Sequence, residues 1–80
     1  MASPITIYGS NWCGYTQRAL RQLDALGVEY RYVDVDQDPQ AEQRLADWGG
    51  GQAIRPALDL GGTVLVNPDP ATLERALRDR

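Results

Sequence analysis

An α/β domain with a four-stranded mixed sheet flanked by helices, in the order βαβαββα, is the fold this sequence predicts. Three observations lead to it. Period-two runs rich in β-branched and aromatic residues alternate with segments whose apolar residues recur every three or four positions. Asp-Pro pairs stand where helices should begin, and Gly clusters stand where helices should end. At 80 residues the chain is one domain, expected to span 1–80.

Ile5-Thr6-Ile7-Tyr8 is a short run introduced by Pro4 and closed by Gly9-Ser10-Asn11, the pattern of a central strand entering a turn. From Cys13 to Leu26, Thr16, Ala19, Leu20, Leu23 and Leu26 fall at helical spacing, and Gly27 follows where a C-cap belongs. Val28 to Val35 returns to strand composition. Asp38 then offers an N-cap and Pro39 a first helical position, with Ala41, Leu45 and Trp48 as the inner face of a second helix that Gly49-Gly50-Gly51 stops. Ala57 to Leu60 and Thr63 to Val66 read as a hairpin around Gly61-Gly62. Asp69-Pro70 opens the last helix, whose inner face is Leu73, Ala76 and Leu77. Arg75, Arg78 and Arg80 stand where the helix dipole favours cations.

Composition narrows the chemistry. The hydrophobic and charged fractions, 42% and 24%, are those of an ordinary globule. One cysteine excludes an intrachain disulfide framework, so the cytoplasm is the expected compartment, and no apolar run is long enough to span a bilayer. All eight basic residues are Arg, scattered among eleven carboxylates, which leaves no dense basic patch for nucleic acid. Histidine is absent, removing the usual general base and the commonest metal ligand. Arg without Lys, together with abundant Ala, suggests a bacterial source. Asp34-Val35-Asp36-Gln37-Asp38 imitates the start of a calcium loop, but its sixth and twelfth positions are Pro39 and Leu45, so these carboxylates read as a solvated strand end and a helix cap.

The chemistry therefore falls on Cys13. Thiolate, not thiol, is the nucleophile in disulfide exchange, and a free thiol with a pKa of about 8.5 is mostly protonated at neutral pH. At the first turn of a helix, unpaired N–H groups and the positive dipole end favour the anion, and Thr16 adds a hydroxyl donor one turn on. Trp12 and Tyr15 flank the sulfur as candidate walls of a ligand groove. Asn67 and Asp69, around Pro68, stand at a helix N-terminus, a natural seat for a carboxylate. Trp48 reads as core.

Trp12-Cys13-Gly14-Tyr15-Thr16 between the first strand and helix, with Ile54-Arg55-Pro56 before the third strand, resembles the glutaredoxins of the thioredoxin-like fold, closest to the mycoredoxin-like branch. The likeness covers nearly the whole chain. The family pattern is C-x-x-C, whereas Thr16 holds the second place here, and a monothiol branch carries Ser there. The resemblance implies a thiol–disulfide oxidoreductase that exchanges mixed disulfides with a low-molecular-weight thiol such as glutathione or mycothiol. Its partners would be that thiol and thiolated proteins, and it would act as a monomer without a required cofactor. It also implies that Pro56 is cis and faces Cys13, with the Arg55 backbone free to pair with a thiol peptide. Lys commonly precedes the active-site Cys of glutathione-binding relatives, and Ser10 and Asn11 stand there instead, so Arg55 is the candidate replacement cation. Those relatives carry a Gly-Gly-x-x-Asp segment from which Val66-Asn67-Pro68-Asp69 departs, which leaves the identity of the thiol open. Two alternatives stay beside this reading: a carrier in which Cys13 of two subunits holds a 2Fe–2S cluster, approach being allowed by Gly14, and a dithiol enzyme whose second Cys was replaced by Thr to trap a mixed disulfide.

Overall fold

The computed structural model describes residues 4–80. Strand β1 (Ile5–Gly9) leads into α1 (Gly14–Ala25), then β2 (Tyr30–Asp34) and a 3-10 turn (Val35–Gln37). Helix α2 (Pro39–Trp48), the hairpin β3 (Ala57–Asp59) and β4 (Val64–Val66), and α3 (Pro70–Arg78) complete the order. The strands lie β2-β1-β3-β4, with β1 central. Because α1 is a crossover, β1 and β2 run parallel, from Ile5 beside Tyr30 to Gly9 beside Asp34. The other pairs are antiparallel, with Tyr8 beside Ala57 and Ala57 beside Val66.

Strand alternation builds two cores. Ile5, Ile7 and Leu58 face Ala19 and Leu23 of α1 and Leu73 of α3. On the opposite face Tyr8 and Ala57 meet Ala41 and Leu45 of α2, with Trp48 packed half-buried against them. The Trp48 ring meets Tyr8 edge to face, centroids 5.2 Å apart, so Trp48 is core as its spacing predicted.

Local chemistry sets the boundaries. The Asp38 carboxylate accepts from the Gln40 and Ala41 N–H groups and Asp69 from Thr72 N–H, each ahead of a Pro at the helix start. Gly27 ends α1 with φ +70°, a conformation that costs a side chain energy but glycine none. In the β3–β4 turn, the Asp59 side chain accepts from the N–H groups of Gly61 and Gly62.

Two expectations need correction. Val35 does not extend β2: it is buried in the 3-10 turn, whose N-cap is the Asp34 side chain accepting from Asp36 N–H. Leu26 is not on the buried stripe of α1 but is 45% exposed at the C-cap, because the helix ends one residue before it.

Candidate active site

The loop leaving the central strand delivers the thiol. Strand β1 ends at Gly9, and Ser10 to Trp12 turn the chain so that Cys13 becomes the N-cap of α1, its N–H donating to the Ser10 carbonyl at 3.1 Å. No side chain caps this helix end, so its first N–H groups stay available to the sulfur. Cys13 is 9% exposed, enough to leave one approach open. Its Sγ lies 4.0 Å from the Arg55 carbonyl.

Burial raises the Cys13 pKa, yet the net direction is downward. The Thr16 hydroxyl, the N–H groups of Thr16 and Tyr15, and the Arg55 charge together outweigh desolvation. Thr16 itself is fully buried, and its Oγ1 accepts from Ser10 N–H at 3.4 Å. That contact leaves the single hydroxyl proton for the sulfur.

Thr16 fits because Gly9 has no side chain: a Cβ there would come within 2.5 Å of Thr16 Cγ2 and Oγ1. Gly9→Ala is therefore expected to displace Thr16, cost on the order of 1–3 kcal/mol, and raise the Cys13 pKa. Thr16→Ala in the same chain should restore stability without restoring acidity. Urea unfolding and the pH profile of Cys13 alkylation measure the two effects, and an unchanged profile in Gly9→Ala would remove Gly9 from the site.

Around the sulfur, Trp12 is 69% and Tyr15 56% exposed, and Gly14 opens onto free space. Trp12 is nonetheless held. Its indole N–H donates to Asp36 Oδ2 at 2.7 Å, the other Asp36 oxygen accepts from the Ser10 hydroxyl at 3.2 Å, and the Arg55 guanidinium lies 5.4 Å from the ring centre. Asp36 is exposed as its sequence context predicted, but it also holds the indole and the Ser10 hydroxyl. Arg55 is equally committed: Nη2 pairs with Glu42 at 3.3 Å, while its buried Nε has no partner among the described residues. Arg18 lies 5.1 Å from the centre of the Tyr15 ring.

The Arg55–Pro56 bond is cis and Pro56 is buried. The Pro56 carbonyl accepts from Asn67 N–H at 2.7 Å, which ties the segment Asn67-Pro68-Asp69 to the proline beside the thiol. At the start of α3, the Asp69 carboxylate occupies the Thr72 N–H and sits below its ordinary pKa for that reason. The predicted carboxylate seat thus already carries a carboxylate of its own. Among the described residues, no three His, Cys, Asp or Glu side chains converge into a metal site, and no helix is long and apolar enough to cross a membrane.

Sequence reasoning missed Gly9, Ser10, Asp36 and Glu42. Gly9 at the end of β1 and Ser10 in the turn after it carry no chemical signature, and the carboxylates reach the site only through tertiary contacts.

A single activated thiol at a helix start, faced by a cis-proline segment at the entrance to the neighbouring strand, defines a thiol–disulfide redox protein of thioredoxin-like fold. The glutaredoxin family model matches residues 5–65, and the chain belongs to the glutaredoxin family, in its mycoredoxin-like branch. It is 39% identical over 67 residues to mycoredoxin 1 of Corynebacterium glutamicum, covering 82% of each chain. Among solved structures it resembles the glutaredoxin-like NrdH-redoxin of Escherichia coli, with a TM-score of 0.78, 25% identity, and coverage of 91% of this chain and 93% of that one. The glutaredoxin of Archaeoglobus fulgidus shares the fold at a TM-score of 0.77 and 20% identity, covering 98% of this chain and 88% of that one. Proteins of this family catalyse thiol–disulfide exchange with a low-molecular-weight thiol as cosubstrate.

Proposed function

We propose that the protein is a monothiol exchanger of mixed disulfides. The Cys13 thiolate attacks the small-thiol sulfur of a protein–S–S–R disulfide, and the protein thiolate leaves and takes a proton. A second small thiolate then attacks the Cys13–S–S–R bond at the R sulfur, releasing R–S–S–R and the Cys13 thiolate. Overall, protein–S–S–R and R–SH become protein–SH and R–S–S–R, so the partner's sulfur is reduced as the small thiol is oxidised. The observation that carries this reading is the pairing of the chain's one cysteine with a buried Thr16 hydroxyl in place of a second thiol.

Trp12, Gly14, Tyr15, Arg55 and Pro56 would receive the small thiol, with Asn67, Pro68 and Asp69 at the far end of the groove. Incubating reduced protein with the disulfides of several small thiols and weighing the products identifies the cosubstrate. One adduct on Cys13, released by further small thiol, is expected. A protein isolated brown under anaerobic conditions, doubling in mass as a cluster loads, would instead assign Cys13 to 2Fe–2S ligation.

Arg55→Ala is expected to raise the Cys13 pKa and slow adduct formation at pH 7 by roughly two- to tenfold, with Arg55→Lys closer to native. Stopped-flow alkylation across pH measures this. If the pH profile and the rate both stay native in Arg55→Ala, Arg55 has no electrostatic role.

A further inference from the structure

On the α2 face of the sheet, away from Cys13, lies a cavity of about 190 Å³ lined in part by Thr6, Tyr8, Arg31, Asp38, Gln40 and Arg44. Its wall is rich in donors. The Arg31 guanidinium makes no hydrogen bond or ion pair among the described residues, although the chain has eleven carboxylates. Arg44 meets no carboxylate either; its Nη1 donates to the Tyr8 hydroxyl at 2.9 Å. Having accepted that bond, Tyr8 Oη keeps its own proton to give, and no acceptor for it is found among the described residues. One carboxylate lines the cavity, that of Asp38, whose Oδ1 is engaged by the Gln40 and Ala41 N–H groups. Two arginines and the Tyr8 hydroxyl thus line a space with a single carboxylate, so the lining carries two positive charges against one negative.

We propose that this cavity binds a small oxyanion of the phosphate class, with Arg31 and Arg44 as its charged donors and the Tyr8 hydroxyl as a neutral one. Guanidinium groups suit such an anion because each offers paired N–H donors matched to two oxygens. The volume accommodates one phosphoryl group with waters around it. The site is separate from the redox groove, being lined by β1, β2 and α2 and by none of the residues assigned to the thiol. Free phosphate and the phosphate end of a phosphorylated metabolite share this chemistry.

The test is an NMR titration of the ¹⁵N-labelled full chain with inorganic phosphate, with glucose 6-phosphate, and with chloride at matched ionic strength. Saturable shifts of the Thr6, Arg31 and Ala41 amides are expected with the phosphates alone, weakened roughly tenfold or more in Arg31→Gln and Arg44→Gln. Cys13 alkylation should stay native in Arg31→Gln. Tighter binding of glucose 6-phosphate assigns the site to phosphorylated metabolites, and equal binding assigns it to the free anion. Shifts that grow linearly and equally with chloride, that centre on the start of α3, or that survive both substitutions would overturn the proposal. If Arg44→Gln fails to fold for want of the Tyr8 contact, the exposed Arg31→Gln decides the matter alone.

Discussion

Thiolate absorbance of the native protein is expected to rise with a midpoint below the free-thiol value of about 8.5, and Thr16→Val to move that midpoint upward. Valine keeps the shape of threonine but removes the hydroxyl, so the buried sulfur retains the desolvation that disfavours its anion and loses the side-chain donor opposing it. At a pH below both midpoints, the thiolate fraction falls about tenfold for every pH unit by which the midpoint rises. Alkylation at neutral pH should fall in the same proportion. Thr16→Ser, which restores a donor, should return most of the acidity. The sign carries into stability. A thiol pKa depressed by folding adds stability that is complete above the unfolded thiol's pKa and fades as pH falls through the folded one. Native protein should gain stability over Thr16→Val on the alkaline side of that window, measured by urea unfolding across pH. The same midpoint in native and Thr16→Val would show that the backbone N–H groups at the helix start suffice without Thr16.

The parts of this molecule that were legible in its sequence are those governed by neighbours a few residues away. Asp38-Pro39 and Asp69-Pro70 place helix starts because a cap and its N–H partners lie within three residues. The inner faces of α1 and α2 follow from helical spacing, and Thr16, Leu23 and Leu45 are buried as that spacing requires. The Cys13 site was legible for the same reason, since sulfur, helix start and hydroxyl fall within four residues. The supports of the site were not. Trp12 is held by Asp36, 24 positions on, and Arg55 by Glu42, 13 positions earlier. A carboxylate that grips an indole reads in sequence like any solvated carboxylate. Gly9 was opaque too, because its role depends on how close Thr16 comes after the chain has turned. Arg55, read from sequence as the candidate replacement cation, lies over the Trp12 ring and is paired with Glu42, an arrangement set by the fold bringing α2 and the β3 entrance to one edge of the thiol.

On the proposed monothiol mechanism, Thr16→Cys is expected to yield a protein that reduces protein disulfides directly, without the small thiol on which the native chain would depend. Residue 16 lies one helical turn after Cys13, and its side chain already sits against the sulfur, since its hydroxyl acts on the Cys13 thiol. A cysteine there has one branch fewer than threonine and so fits within the space that Gly9 leaves open. In native protein, attack of Cys13 on a protein disulfide forms a mixed disulfide in which no neighbouring thiol is poised to attack. That species persists until a small thiol arrives. In the variant, the new thiolate at position 16 attacks Cys13 Sγ, the partner thiolate leaves, and an intramolecular disulfide holds the two oxidising equivalents. Three measurements follow. Oxidised variant should be lighter by two hydrogens while native protein yields only adducts or intermolecular dimers. Reduction of a protein disulfide in the absence of any small thiol should appear in the variant and be absent in native protein. Turnover of small-thiol mixed disulfides should persist in both, because that step needs only Cys13. Native protein that reduces a protein disulfide as fast as Thr16→Cys without small thiol would overturn the monothiol mechanism. A variant that folds, keeps its Cys13 reactivity and never closes the internal bond would instead show that the buried position beside Gly9 holds residue 16 out of line with the incoming disulfide.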